Sequence, residues 1–150
     1  MDFKALVDEQ LIDTDLPAGD KFQVIEHLLD LAVAAGRVSD RERALTDLVE
    51  REKYLSTGFE HGLAVPHAKT QAVADIILVF GLSREGIDFD SLDGQPTHFI
   101  FLLLSPMDTS GPHIQTLALL ARNFQKEAIV EKLRQVTSKP DLIAILQQFQ

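Results

Sequence analysis

The chain has no cysteine and no tryptophan, and its 150 residues include only one tyrosine and two methionines. Without cysteine there is no disulfide, no thiolate nucleophile and no thiolate metal site. No apolar run approaches the roughly 18 residues that cross a bilayer as a helix, so direct membrane insertion is not expected. The opening MDFKALVDEQ is acidic and amphipathic, unlike the basic and then apolar start of a signal peptide. These absences point to a cytoplasmic protein. Positive charge is scarce as well: 14 Lys and Arg stand against 23 Asp and Glu, for a formal net charge of −9. Nucleic-acid partners ordinarily require a basic face, so this balance argues against one. It still allows a local positive patch that meets a phosphorylated partner.

A hydrophobic content of 45% with 25% charged residues is ordinary for a globular chain, and the length suits one domain spanning 1–150 with a substantial core. No internal repeat, low-complexity tract or linker interrupts it. Phe3–Val7 reads as a short helix. Asp20 and Gln23 form a capping box, after which Ile25, Leu28, Leu29 and Ala32 recur at helical spacing up to Gly36. His27 falls on the opposite, solvated face. Ser39 and Glu42 suggest a second capping box, with Ala44, Leu45, Leu48 and Val49 on the buried side of a helix ending near Glu52.

Strand signals follow at Leu63–Val65 and at Ile76–Leu82, the latter apolar enough to be buried on both faces. Arg84-Glu85-Gly86 and Asp93-Gly94 read as turns, and Phe99–Leu104 as a central strand opened by a surface-facing or capping His98. A loop from Ser105 to Pro112 leads into a helix, with Pro112 suited to its first position and His113 in its first turn. Ile114, Leu117, Ala118, Ala121 and Phe124 continue it at helical spacing. Lys126–Val136 and Leu142–Phe149 complete the chain as amphipathic helices. Helices, then strands, then helices predict an α/β fold with a mixed sheet in a layered domain.

The stretch REKYLSTGFEHGLAVPHAKT, Arg51–Thr70, concentrates the chemistry. A short strand that breaks at Pro66 sets His67 on a loop at a sheet edge, where α/β proteins carry their functional groups. Neutral imidazole is a good nucleophile near neutral pH, and a phosphorylated imidazole is a good leaving group. One histidine can therefore accept a phosphoryl group and release it again. His113, at a helix start, sits where free N–H groups and the dipole favour an anion. Taken alone, Arg51 in a last helical turn complements the helix dipole.

The motifs EREK, STG, LAVPHAK, GIDFD, DGQP and GPHIQTLALLA resemble the fructose/mannitol-type enzyme IIA domains of the bacterial phosphotransferase system, including their nitrogen-regulatory branch. The resemblance covers nearly the whole chain. It implies a single layered α/β domain, with a mixed sheet of about five strands and helices on both faces. It also implies a phosphoryl carrier without a cofactor. His67 would be the acceptor, His113 would hydrogen-bond the phosphoryl group, and Arg51 would offset its charge through paired guanidinium hydrogen bonds. Ser56 and Thr57 are further hydroxyl candidates, although a turn function accounts for them equally well. The implied partners are an HPr-type phosphocarrier and either an enzyme IIB domain or regulated target proteins. The 150-residue length and the wording EREK…STG…PHAK lean towards the regulatory branch.

One departure stands out. Glu60 occupies a position where the family pattern has a small residue, usually Gly, which introduces a carboxylate or a strained turn near the site. A catalytically silenced binding module that keeps the fold is therefore an alternative. A metal site of His61, His67 and His113 is a weaker one, because the spacing matches no familiar ligand pattern.

Overall fold

The computed structural model describes residues 2–150. Two long antiparallel strands, β4 (Ile77–Ile87) and β5 (Thr97–Ser105), form the middle of a five-stranded mixed sheet. On the outer side of β4 lies β1 (Ile12–Asp13), and on the outer side of β5 lie β2 (Leu63–Ala64) and β3 (His67–Lys69), all three pairing parallel. The helices are α1 (Lys21–Ala34), α2 (Arg41–Tyr54), α3 (Ser110–Asn123), α4 (Glu127–Arg134) and α5 (Lys139–Leu146). This is the expected layered α/β fold.

Both faces of the sheet are buried where Ile77–Phe80 of β4 and Phe99–Leu104 of β5 carry apolar side chains on each side. Ile77, Val79, Ile100, Leu102 and Leu104 pack towards α1 and α2 with Val24, Ile25, Leu28, Leu29 and Leu48. Leu78, Phe80, Phe99, Phe101 and Leu103 pack towards α3–α5 with Leu120, Phe124, Leu133, Leu146 and Phe149. Period-two side-chain alternation thus sorts one run of residues into two cores. At Gly81 a Cβ would sit 2.6 Å from Leu16 and 2.9 Å from Leu28, so this glycine lets α1 lie close against β4.

The capping box at Asp20 is present, and Gly36 has the positive φ of 74° that follows a helix end. Several expectations need correction. The N-cap of α2 is Asp40, which accepts from the Arg43 N–H, while Ser39 donates its hydroxyl to the Ala72 carbonyl. The helix runs past Glu52 to Tyr54. Arg84-Glu85-Gly86 does not turn the chain; β4 continues through it with a register shift between Leu82 and Ile87. His27 is no free surface group, since its Nε2 lies 2.7 Å from Asp13 Oδ2. The N-terminal helix is a 3-10 turn over Phe3–Leu6, and the last two helices are shorter or earlier than their apolar patterns suggested.

The correction at α3 bears most on function. Pro112 occupies the third helical position, where its missing N–H still costs nothing, and His113 follows. The buried stripe is His113, Thr116, Leu120 and Asn123, whereas Ile114 is 63% exposed. The helix is rotated so that a histidine, rather than the more apolar face, meets the sheet.

Candidate active site

His67 is the first residue of β3, not a loop residue. The strand is held at both ends by β5: the Leu103 N–H donates to Pro66 O at 3.0 Å and the Thr70 N–H to Ser105 O at 2.9 Å. Ala68 points into the α1–α2 core, so alternation sends His67 and Lys69 to the other face, beneath α3. Lys69 pairs in register with Ser105. From above, α3 brings in His113, and the two imidazole centroids are 5.4 Å apart.

Each ring is fixed through Nδ1. His67 Nδ1 lies 2.7 Å from Val65 O, and because a carbonyl can only accept, that nitrogen carries hydrogen. The neutral ring then has its lone pair on Nε2. His113 Nδ1 lies 2.6 Å from the hydroxyl of Ser105, which is fully buried. Burial holds His67 below the ordinary imidazole pKa; the Val65 bond and the Glu52 carboxylate oppose this, while the Arg51 charge adds to it. His113 is pushed down to about 4 by burial and by the neighbouring charges of His67 and Lys69. Both rings are neutral at pH 7.

Arg51 lies in the last turn of α2, where Nη1 donates to Leu55 O at 2.7 Å. The cap and the electrostatic reach towards His67 are properties of the same side chain. Glu52, next to it, is 2% exposed and organises the turn that follows. It accepts from the Thr57 N–H at 3.0 Å, the Thr57 hydroxyl at 2.5 Å and Lys21 Nζ at 3.3 Å. Ser56 donates its hydroxyl to Phe89 O and accepts from the Gly58 N–H. Both hydroxyl hydrogens are therefore engaged away from His67, and the turn function is the one the structure gives these residues.

Glu60 faces its neighbour: its Oε2 lies 3.8 Å from His61 Nε2, with both side chains about half exposed. The carboxylate acting on His67 is that of Glu52, not Glu60. The left-handed residues of this turn are His61 and Gly62, so Glu60 carries no such backbone strain. His61 does not join the other two histidines; it lines a cavity with Phe124, Glu127 and Arg134. Among the described residues no group of three acidic, histidine or cysteine side chains is arranged to hold a metal.

Three contributors escaped the sequence reading: Glu52, Lys69 and Ser105. Lys69 donates to Ser110 Oγ at 2.6 Å and places a cation beside His113. Its place in LAVPHAK and the two-residue step from His67 were the available signals. Nothing local distinguished Ser105 from a loop serine.

The profile of the family described as "Phosphoenolpyruvate-dependent sugar phosphotransferase system, EIIA 2" matches residues 5–149. The fructose-specific EIIA component of Haloferax volcanii is 41% identical over 145 residues, covering 97% of this chain and 94% of that protein. A nitrogen regulatory protein of Bradyrhizobium diazoefficiens is 36% identical over 130 residues, covering 86% and 84% respectively. The crystal structure of nitrogen regulatory protein IIA-Ntr from Neisseria meningitidis superposes with a TM-score of 0.84 at 32% identity, over 95% of this chain and 97% of that one. The chain therefore belongs to the EIIA 2 family of phosphotransferase-system phosphoryl carriers, which includes the nitrogen-regulatory branch.

Proposed function

We propose that residues 1–150 act as one cytoplasmic enzyme IIA unit that carries a phosphoryl group on Nε2 of His67. The observation that supports this most directly is the Val65 bond, which leaves Nε2 as the nucleophilic nitrogen of a neutral ring. The Nε2 lone pair forms the new N–P bond while the P–N bond of an HPr-type phosphohistidine breaks, its electron pair returning to the donor ring. No proton has to move, because Nδ1–H stays on the Val65 carbonyl. That carbonyl stabilises the positive charge which phosphorylation places on the ring, the same charge that makes the ring a good leaving group for the next transfer.

Arg51 offsets the charge of the arriving phosphoryl group, and His113 hydrogen-bonds its oxygens. Loss of a charged hydrogen bond of this kind costs about 1.5–3 kcal/mol, or roughly ten- to hundredfold in rate. The acceptor is an enzyme IIB domain or, on the regulatory branch, the phosphorylation state itself is read by target proteins. The higher identity to a fructose-specific component favours the sugar relay. The pairing of the half-exposed Glu60 with His61 favours a working carrier over a silenced module.

The test is incubation with the general phosphotransferase proteins and phosphoenolpyruvate, followed by intact mass. One acid-labile phosphoryl group is expected, and none in His67→Ala. A modification that survives mild acid, or that persists in His67→Ala, would overturn the assignment.

A further inference from the structure

Ser105 is the last residue of β5, and its side chain continues the row Phe99, Phe101, Leu103 on the α3 face. Where the row has been apolar, a hydroxyl appears directly beneath His113. Ser105 is fully buried, so its hydroxyl cannot turn to water for a partner, and His113 above it is 6% exposed. Among the described residues the Ser105 hydroxyl makes one hydrogen bond, to His113 Nδ1 at 2.6 Å.

That contact has two possible polarities. If Nδ1–H donated to Oγ, the serine hydrogen would be left buried without an acceptor, an arrangement native interiors avoid. If the hydroxyl donates to Nδ1, every buried polar atom is satisfied and the imidazole hydrogen must sit on Nε2. The same count disfavours a protonated His113, which would also need Oγ as an acceptor. The backbone beneath is fixed, since the Ser105 carbonyl accepts from the Thr70 N–H in the β3–β5 ladder. The serine is thus a rigid donor aimed at one ring nitrogen.

We propose that Ser105 is a positioning residue that holds His113 in its Nε2–H tautomer, so that the ring offers a donor, not a lone pair, to the phosphoryl oxygens on His67. The opposite tautomer would direct a lone pair at an anion. The proposal rests on the reading of His67 as the phosphoryl acceptor, but its first consequence concerns the unphosphorylated protein. Side-chain nitrogen NMR of the wild type should show His113 as the Nε2–H form at pH 7. In Ser105→Ala that preference should weaken or reverse, and transfer from a phosphorylated donor should slow by about ten- to hundredfold, the scale for groups that orient a functional imidazole. Ser105→Thr, which keeps the hydroxyl, should restore both. A wild-type His113 found as Nδ1–H overturns the proposal even if Ser105→Ala fails to fold. So does a folded Ser105→Ala with unchanged tautomer and unchanged rate. A wild type that shows the Nε2–H form yet takes up no phosphate overturns the carrier reading while leaving the tautomer assignment standing.

Discussion

Two imidazoles with centroids 5.4 Å apart under a helix and over a sheet are costly to charge, and this has a pH signature. His113 is held down at about 4 and His67 below its ordinary value, so the unfolded chain binds protons that the folded protein refuses. Stability from these groups is complete above the unfolded pKa of ~6.5 and is lost as pH falls towards 4, on the order of 2–3 kcal/mol for His113. Denaturant titrations at pH 7 and pH 4.5 should show that loss, and His113→Gln should reduce it. The charged groups facing the pair are Arg51, Glu52 and Lys69, so a decline of equal size in the His113→Gln variant would assign the effect elsewhere. Phosphoryl transfer should likewise fall less between pH 8 and pH 6.5 than it would for a free imidazole nucleophile, because burial holds His67 below the ordinary imidazole pKa. Glu60→Gly should leave the transfer rate within about twofold of wild type, since an exposed carboxylate paired with His61 acts through screened solvent; a large acceleration would show that the carboxylate opposes the donor. The candidates His67, His113 and Arg51 could be named from sequence because LAVPHA, GPHIQ and EREK each mark one of them. Ser105 could not, because a serine between an apolar strand and a proline reads as the start of a loop.

At the scale of elements, the candidate site draws on the end of α2, the turn after it, the short strand β3, the end of β5 and the start of α3. Glu52 ties the first two together from a buried position, accepting from both Thr57 groups and from Lys21. Glu52→Ala should therefore cost about 3 kcal/mol in a denaturant titration, because it orphans the Thr57 N–H and hydroxyl while Lys21 keeps Asp90 as a partner. A change under 1 kcal/mol would mean that the turn finds other partners. Glu52 was passed over because a carboxylate in a charged helix tail ordinarily faces water; burial comes from the fold, not from EREK. The same limit explains β1 and β3. Two- and three-residue strands have no readable alternation, and they exist because β4 and β5 offer them edges. The mis-phased stripe of α3 has the same origin, for apolar spacing favoured Ile114 while the fold turns His113 inward.

For the molecule as a whole, the long apolar runs of β4 and β5 made the doubly covered sheet legible, since strands buried on both faces require helices on both. The arrangement of the ends was not legible. Phe3 and Phe149 stack with ring centroids 5.6 Å apart, and Phe149 also meets Phe101 and Phe124. Phe149→Ala should cost about 3–5 kcal/mol as both a lost aromatic contact and a cavity, read as a lower midpoint in urea; a shift below 1 kcal/mol would show that this end of the chain carries little of the core. The stacked rings also mean that the polypeptide nearly closes on itself. A short Gly-Ser bridge from residue 150 back to residue 2, with new ends cut at the exposed Asp93-Gly94 turn, would yield a circular permutant in which the order of the elements changes and their neighbours do not. Such a permutant should fold and still present His67 to a donor, because the strands flanking that histidine are joined through hydrogen bonds to β5 and not through the reconnected segment.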